Sequence, residues 1–408
     1  MTIIIGAGAS GLLASILIAR SGKSVTLLEQ NSKVGKKILV SGNGKCNIGN
    51  VDITPQRYHS ENPLFVEELL QGYSSMEIRK LFDSMGVDIV EGKDGKLFPM
   101  SMQASSVVEI LLYEAQRVGV TIVCDCAVQS IVKESDSFLL QTTQGERVAQ
   151  RVVLASGSAA APRLGGNMSG MEMAVSLGHT LVPSYPSLVQ LCSDEEWVKQ
   201  ASGVKVDADV KLYANSEYIS QKRGDILFTN YGISGLAILD ISRDVSLQLA
   251  GYAYCELSLD IMPEYSKEKL TNFLLGRIDK ERDKSLDIWL LGILNKKLIP
   301  IILEQSKSKV RSESQLNRKE ISKLVYTIKN LKLSLSDTRG FGGAEVATGG
   351  VDTSQVDAQT MQSKLVKNLY FAGEILDVDG DRGGFNFHFA WVCAMRVDRG
   401  VESKYCSI

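Results

Sequence analysis

The sequence predicts an α/β protein: a Rossmann-type nucleotide-binding domain assembled from both ends of the chain, with a β-rich domain and a small helical domain inserted between. Three observations predict it. Gly6-Ala7-Gly8-Ala9-Ser10-Gly11, a G-x-G-x-x-G turn, stands between an apolar strand and an apolar helix. A strand ending in Gly-acid, Asn368 to Glu374, and a glycine pair, Gly383-Gly384, stand near the other end. Between them, short alternating runs read as strands, such as Val204–Val210, Val245–Leu249 and Ala253–Leu259, give way to charged helical periodicity, with helices expected over Lys267–Arg277, Leu286–Ile302 and Arg318–Ile328. The expected division is 1–185 with 335–408 for the nucleotide domain, 186–263 for the β-rich domain and 264–334 for a helical cap.

At the amino terminus, Ile3-Ile4-Ile5 reads as a buried parallel strand, Leu12 to Arg20 as a helix ended by Ser21-Gly22, and Val25 to Leu28 as the next strand, closed by Glu29. Each glycine has its own reason. Gly6 allows the tight turn, Gly8 lets the backbone approach a pyrophosphate, and Gly11 lets the helix pack closely on the sheet. The helix N-terminus offers free N–H groups to phosphate oxygens. Glu29 stands where a carboxylate accepts hydrogen bonds from ribose hydroxyls, and it would repel a 2′-phosphate.

The other end of the chain selects between nucleotides. Val152 to Gly157 is a second apolar strand ending in small residues. Leu369-Tyr370-Phe371-Ala372-Gly373-Glu374 is a third. Asp379-Gly380-Asp381-Arg382-Gly383-Gly384-Phe385-Asn386 then leads into a helix running to about Arg396. The strand–Gly–acid pattern resembles the flavoprotein motif in which an acidic side chain holds the ribityl and pyrophosphate end of FAD, and a second helix N-terminus suits negative charge on a reduced ring. These distant pieces favour non-covalent FAD over NAD. No second G-x-G-x-x-G with helix and acid follows. NAD(P)H is therefore expected only as a transient electron donor in the substrate cleft.

The block Val34 to Asn47, with Gly35-Lys36-Lys37 and Ser41-Gly42-Asn43-Gly44-Lys45-Cys46, adds specificity. Together with Phe371 to Gly380, Gly383 to Asn386, Gly224 to Gly235 and Gly349-Gly350-Val351, it resembles the three-domain bacterial NAD(P)/FAD-dependent oxidoreductases of the BaiN/YhiN type, which include aminoacetone oxidase. The resemblance spans nearly the whole chain. Two departures stand out: Gly42-Asn43-Gly44-Lys45-Cys46-Asn47 where the family commonly has Gly-Gly-Gly-Arg-Cys-Asn, and His388-Phe389 where it commonly has an aromatic. The cofactor-contacting set is then expected to comprise Gly6, Gly8, Ala9, Ser10, Gly11, Glu29, Gln30, Lys36, Lys37, Ser41, Gly42, Val128, Gly157, Gly373, Glu374, Asp379, Gly383, Gly384, Phe385 and Asn386. Candidate proton donors are His388, Lys45 and Cys46, with Tyr231 less specific.

What the resemblance implies is reduction of a C=C beside a carbonyl, as in a steroid or bile-acid enone, with electrons from NAD(P)H. The alternatives are dihydrouridine-forming reduction of uracil in ribosomal RNA, oxidation of an aminoacetone-type amine, and a non-catalytic flavin-bearing RNA-binding role.

Composition bounds the rest. A net charge of −2 excludes binding of polyanions by bulk charge. Residues 264–332 nevertheless hold 16 Lys/Arg against 9 Asp/Glu. Such a face suits an anionic or CoA-linked small molecule, or RNA. The seven cysteines, at 46, 124, 126, 192, 255, 393 and 406, form no C-x-x-C pair, so no metal site is expected and free thiols are. No signal-like segment and no membrane-length apolar run occurs, so a cytoplasmic location is expected.

Overall fold

The computed structural model describes residues 1–279 and 283–402; Cys406 lies outside them. The chain divides into two compact units, 1–184 with 346–408, and 185–345.

The first unit is built on a five-stranded parallel sheet. Its strands are β1 (Thr2–Ile5), β2 (Val25–Leu28), β3 (Thr121–Val123), β4 (Arg151–Leu154) and β5 (Leu369–Phe371), in the order β5-β4-β1-β2-β3. Thr2 pairs with Val25 on one side and with Arg151 on the other. β1, β2 and β5 are buried at every position, as continuous apolar runs in a sheet covered on both faces should be. The helices that matter are α1 (Ala9–Arg20), α2 (Lys36–Gly44), α3 (Ala104–Arg117) and α4 (Phe385–Glu402). α1 packs against both α3 and α4, which brings the carboxyl-terminal helix onto the amino-terminal fingerprint.

α4 runs six residues past the predicted end at Arg396, because Val397, Gly400 and Val401 continue its buried stripe. Arg396 itself is buried. Its guanidinium donates to the carbonyls of Glu68, Leu69 and Gln71 at 2.8 to 3.1 Å and so closes the C-terminal end of the helix Pro63–Leu70.

The second unit carries an antiparallel sheet whose longest strands are Lys205–Ala214 and Glu217–Phe228. Strands Cys255–Asp260 and Leu331–Leu335 extend it. The β-rich and helical stretches share one apolar core, in which Leu212 and Leu257 lie with Leu324 and Trp289. Three sequence expectations need correction. Val245–Leu249, expected as a strand, lies in the helix Leu236–Ala250, where Ile238, Ile241 and Val245 are buried at helical spacing. The single helix expected over 286–302 is two, Leu286–Leu291 and Leu298–Gln305, separated at Gly292. Residues 331–335, mostly assigned to the helical stretch, form a strand of the sheet.

Candidate flavin and active site

The carboxyl ends of β1, β2, β4 and β5 converge, as the ligand crevice of an open parallel sheet requires. Gly6 has φ +101°, and a Cβ there would collide with the carbonyl of Ala155. A Cβ at Gly11 would collide with the carbonyl of Gly6, so α1 can start so close to the sheet only with glycine. A Cβ at Gly8 would meet nothing within 4 Å. Gly8 therefore borders open space at the N-terminus of α1, which has no side-chain cap. Its first-turn N–H groups, from Ala9 onward, remain for a ligand.

Glu29 is buried. Its Oε2 accepts from the Ala7 N–H at 2.9 Å, and its Oε1 accepts from the Asn31 N–H and Nδ2 at 2.8 and 2.6 Å. A carboxylate accepts about four hydrogen bonds, so one position is left for a ribose hydroxyl. Lys36 acts on Glu29 indirectly: its Nζ donates to Asn31 Oδ1 at 2.8 Å. Asn31 is the link that the motif reading missed. Gln30 donates to the carbonyl of Gly165 at 2.7 Å and accepts from Asn167, tying the loop after β4 to the end of β2.

The opposite wall comes from the far end of the sequence. Gly373 lies so near Ser10 that a Cβ would stand 2.5 Å from its Oγ, which donates to the carbonyl of Ala372. Glu374 is held by Lys37 Nζ at 2.6 Å, Ser158 Oγ at 2.8 Å and the Ala347 N–H at 3.1 Å. Gly157 (φ +76°) also borders open space. Ser156 Oγ and Asn47 Oδ1 are buried without a hydrogen-bond partner. Open cradles beside Gly8 and Gly157, an uncapped helix N-terminus and orphaned polar atoms fit a bound dinucleotide. Glu29 would hold the ribose, Gly8 to Gly11 the pyrophosphate and Glu374 the ribityl chain.

Gly384 (φ +103°) abuts the carbonyl of Gly49, and the Gly383 carbonyl accepts from Asn50 Nδ2 at 3.0 Å. Asn386, expected on the flavin edge, spends its amide elsewhere. It accepts from the Gly380 N–H and donates to the Gly380 carbonyl, both at 2.8 Å, and so shapes the 379–381 loop. Phe385 is buried, its ring packed T-shaped against Tyr58 with the Arg57 guanidinium 5.4 Å from its centre. Asp379 is buried within a two-residue strand paired with His59. Val128 is buried in the strand Val128–Lys133. Ser41 donates to the carbonyl of Ile38 at 2.7 Å; Gly42 and Asn43 follow in left-handed conformations that break α2.

Two of the expected proton donors are displaced by burial. His388 is fully buried on α4, with Nε2 3.0 Å from the carbonyl of Tyr73, and burial pushes its pKa down to about 4. Cys46 is fully buried and its thiol is pushed up to about 12 by burial, against the hydrogen bond with Ser41. Both side chains are fully buried, and the low pKa leaves the His388 ring neutral near neutral pH. Lys45 is exposed. Tyr231, in the second unit, lies beneath the Arg339 guanidinium at 4.6 Å.

Among the described residues no cluster of metal ligands occurs, and no helix is long and apolar enough to cross a membrane.

The chain matches the HI0933-like protein Rossmann domain over residues 1–400. It is 35% identical to a 3-dehydro-bile acid Δ(4,6)-reductase of Clostridium scindens, covering 98% of each chain. It is 32% identical to a ribosomal RNA dihydrouridine synthase of Haemophilus influenzae, covering 97% of this chain and 98% of that one. Among solved structures, a 3-ketosteroid Δ4-(5α)-dehydrogenase of Rhodococcus jostii shares the fold, with a TM-score of 0.51 at 15% identity over 98% of this chain and 96% of that one. With the fingerprint, Glu29 and the Gly373–Glu374 wall in place, the chain is an FAD-dependent oxidoreductase and belongs to the HI0933-like Rossmann family.

Proposed function

We propose that this enzyme reduces a C=C bond conjugated with a carbonyl in a small, anionic or CoA-linked molecule of the steroid or bile-acid type, taking electrons from NAD(P)H in the cytoplasm. The observation that carries the reading is the full-length similarity to a 3-dehydro-bile acid Δ(4,6)-reductase. When bound, FAD supplies hydride chemistry at its ring. The chain's own residues bind and orient: Glu29 the ribose, the first turn of α1 the phosphates, and Glu374, held by Lys37 and Ser158, the ribityl chain. Free thiols at all six described cysteines suit a reducing compartment.

A second reading, reduction of uracil in ribosomal RNA, is favoured by the Haemophilus relative. The exposed cations Lys267, Lys269, Lys284, Lys296, Arg318 and Lys319 also favour it. Uracil too holds a C=C beside a carbonyl, so one chemistry serves both. NADPH and NADH consumption with a panel of steroid enones, CoA-linked enones and unmodified ribosomal RNA separates the readings. Turnover with a small enone supports the first; turnover with RNA alone replaces it with the second. Peroxide release with a primary amine, and turnover with neither, refutes both.

A further inference from the structure

Adding a hydride equivalent to one carbon of a C=C requires a proton at the other. Two of the three histidines are unsuited to give it. His388 is buried in the core, as is His179, whose ring nitrogens meet the Ala174 carbonyl and Ser363 Oγ. The third histidine is different. His59 has a side chain 37% exposed, and its Nε2 lies 3.3 Å from Asp381 Oδ1. The other Asp381 oxygen lies 3.3 Å from Arg57 Nη1, and Arg57 is anchored on Asp52 at 2.6 Å.

This arrangement is fixed by the backbone. His59 pairs with Asp379, and Tyr58 with Gly380, in a short antiparallel ladder. The Asp381 N–H donates to the Arg57 carbonyl at 2.8 Å. The adjoining Asp377 accepts from the Glu61 N–H at 2.8 Å and from Ser60 Oγ at 3.2 Å, so two carboxylates grip the 57–61 segment. The histidine–carboxylate pair thus sits on the loop that runs two residues later into Gly383-Gly384 and the start of α4. That helix N-terminus is the one expected from the sequence to suit the charge of a reduced flavin ring.

We propose that His59 is the proton donor of this site and that Asp381 is its positioning residue. The proposal rests on the reduction reading above. A carboxylate on one ring nitrogen fixes the tautomer and orientation of an imidazole and leaves the other nitrogen to work. Here Nε2 is engaged, which leaves Nδ1. In the step, the π bond breaks, one carbon takes the hydride equivalent drawn from NAD(P)H, and the other takes the proton from Nδ1–H of the imidazolium. The neutral ring is then reprotonated from solvent, to which it is open.

His59→Gln keeps an amide able to bond Asp381 and carries no transferable proton. In the holoenzyme, anaerobic reoxidation of the reduced form by a steroid enone is expected to slow about 10²–10⁴-fold. The rate of its reduction by NADPH should be unchanged, and added imidazole should restore part of the loss. Asp381→Asn should slow the same half-reaction less. A second readout uses unreduced wild-type protein. Diethyl pyrocarbonate followed by peptide mass analysis should modify His59 in preference to His179 and His388, and bound saturated product should shield it. Unchanged reoxidation in His59→Gln, or modification indifferent to bound product, overturns the assignment alone. Wild-type enzyme reoxidised by neither an enone nor uracil-containing RNA overturns it together with the reduction reading.

Discussion

Lys37 Nζ and Glu374 Oε2 stand 2.6 Å apart although 337 positions separate them in the chain. The contact joins the start of α2 to the end of β5 across the cradle. Its side chains are 35% and 18% exposed, so solvent screens the charge interaction. Lys37→Met should cost at most about 1 kcal/mol of stability. Glu374→Gln should cost more, because it disturbs an acceptor that also serves Ser158 and the Ala347 N–H. Urea unfolding of the two variants checks the order.

Gly8 and Gly11 should fail in different ways. Gly8→Val fills open space and should give a folded, colourless protein, since the pyrophosphate can no longer approach. Gly11→Val drives a side chain into the carbonyl of Gly6 and should misfold. Circular dichroism with flavin absorbance distinguishes them. A yellow Gly8→Val protein would place the phosphates elsewhere.

Removing the Glu29 carboxylate should weaken FAD binding by about 1.5–3 kcal/mol, the worth of a charge-assisted hydrogen bond. Glu29→Ala also strands the Ala7 and Asn31 donors, so a lower Tm should accompany it. Calorimetric titration of apoprotein with FAD measures the first effect. Unchanged affinity would show that the carboxylate does not meet the ribose.

The buried His388 makes stability depend on pH. Its pKa is held near 4 in the folded protein by burial, against an unfolded value of about 6.5. The unfolded chain therefore binds the proton more readily. The histidine's stabilising contribution is complete above about pH 6.5 and is lost as pH falls toward 4, by roughly 3 kcal/mol in all. Subtracting the curve of His388→Gln from that of the wild type, by urea unfolding between pH 7.5 and 4, should isolate this limb. A flat difference would show that the folded and unfolded chains bind this proton equally, so that burial does not shift the ring.

Much of this was legible in the sequence for physical reasons. Gly6, Gly8 and Gly11 are a local motif: a Cβ at Gly6 or Gly11 would collide with neighbouring backbone, and Gly8 borders open space. The strand before Gly373-Glu374 was legible because Leu369, Tyr370 and Phe371 form a continuous apolar run, buried at every position. What escaped depends on contacts between distant segments. Asn31 mediates between Lys36 and Glu29, and no motif marks it. The His59–Asp381 pair forms only because residues 58–59 and 379–380 build a short ladder. His388 and Cys46 were candidate proton donors because they lie in or next to the motif loops, but α4 turns His388 into the core and Cys46 is buried after the broken end of α2. In the second unit, the alternation of Val245, Leu247 and Leu249 mimicked a strand. The longer run Ile238, Ile241, Val245 carried the helical period.

On the proposed function, electrons held by this protein pass to a C=C beside a carbonyl. The most direct measurement is a single anaerobic turnover in deuterium oxide. Enzyme reduced by one equivalent of NADPH is mixed with one equivalent of a steroid enone, and the product is weighed by mass spectrometry. The expected result is full return of the oxidised flavin spectrum and a ketone with the C=C saturated, at least one of its two new C–H bonds carrying deuterium from solvent. Reduced enzyme that stays reduced with enones and with uracil-containing RNA, yet reoxidises in air, would contradict it.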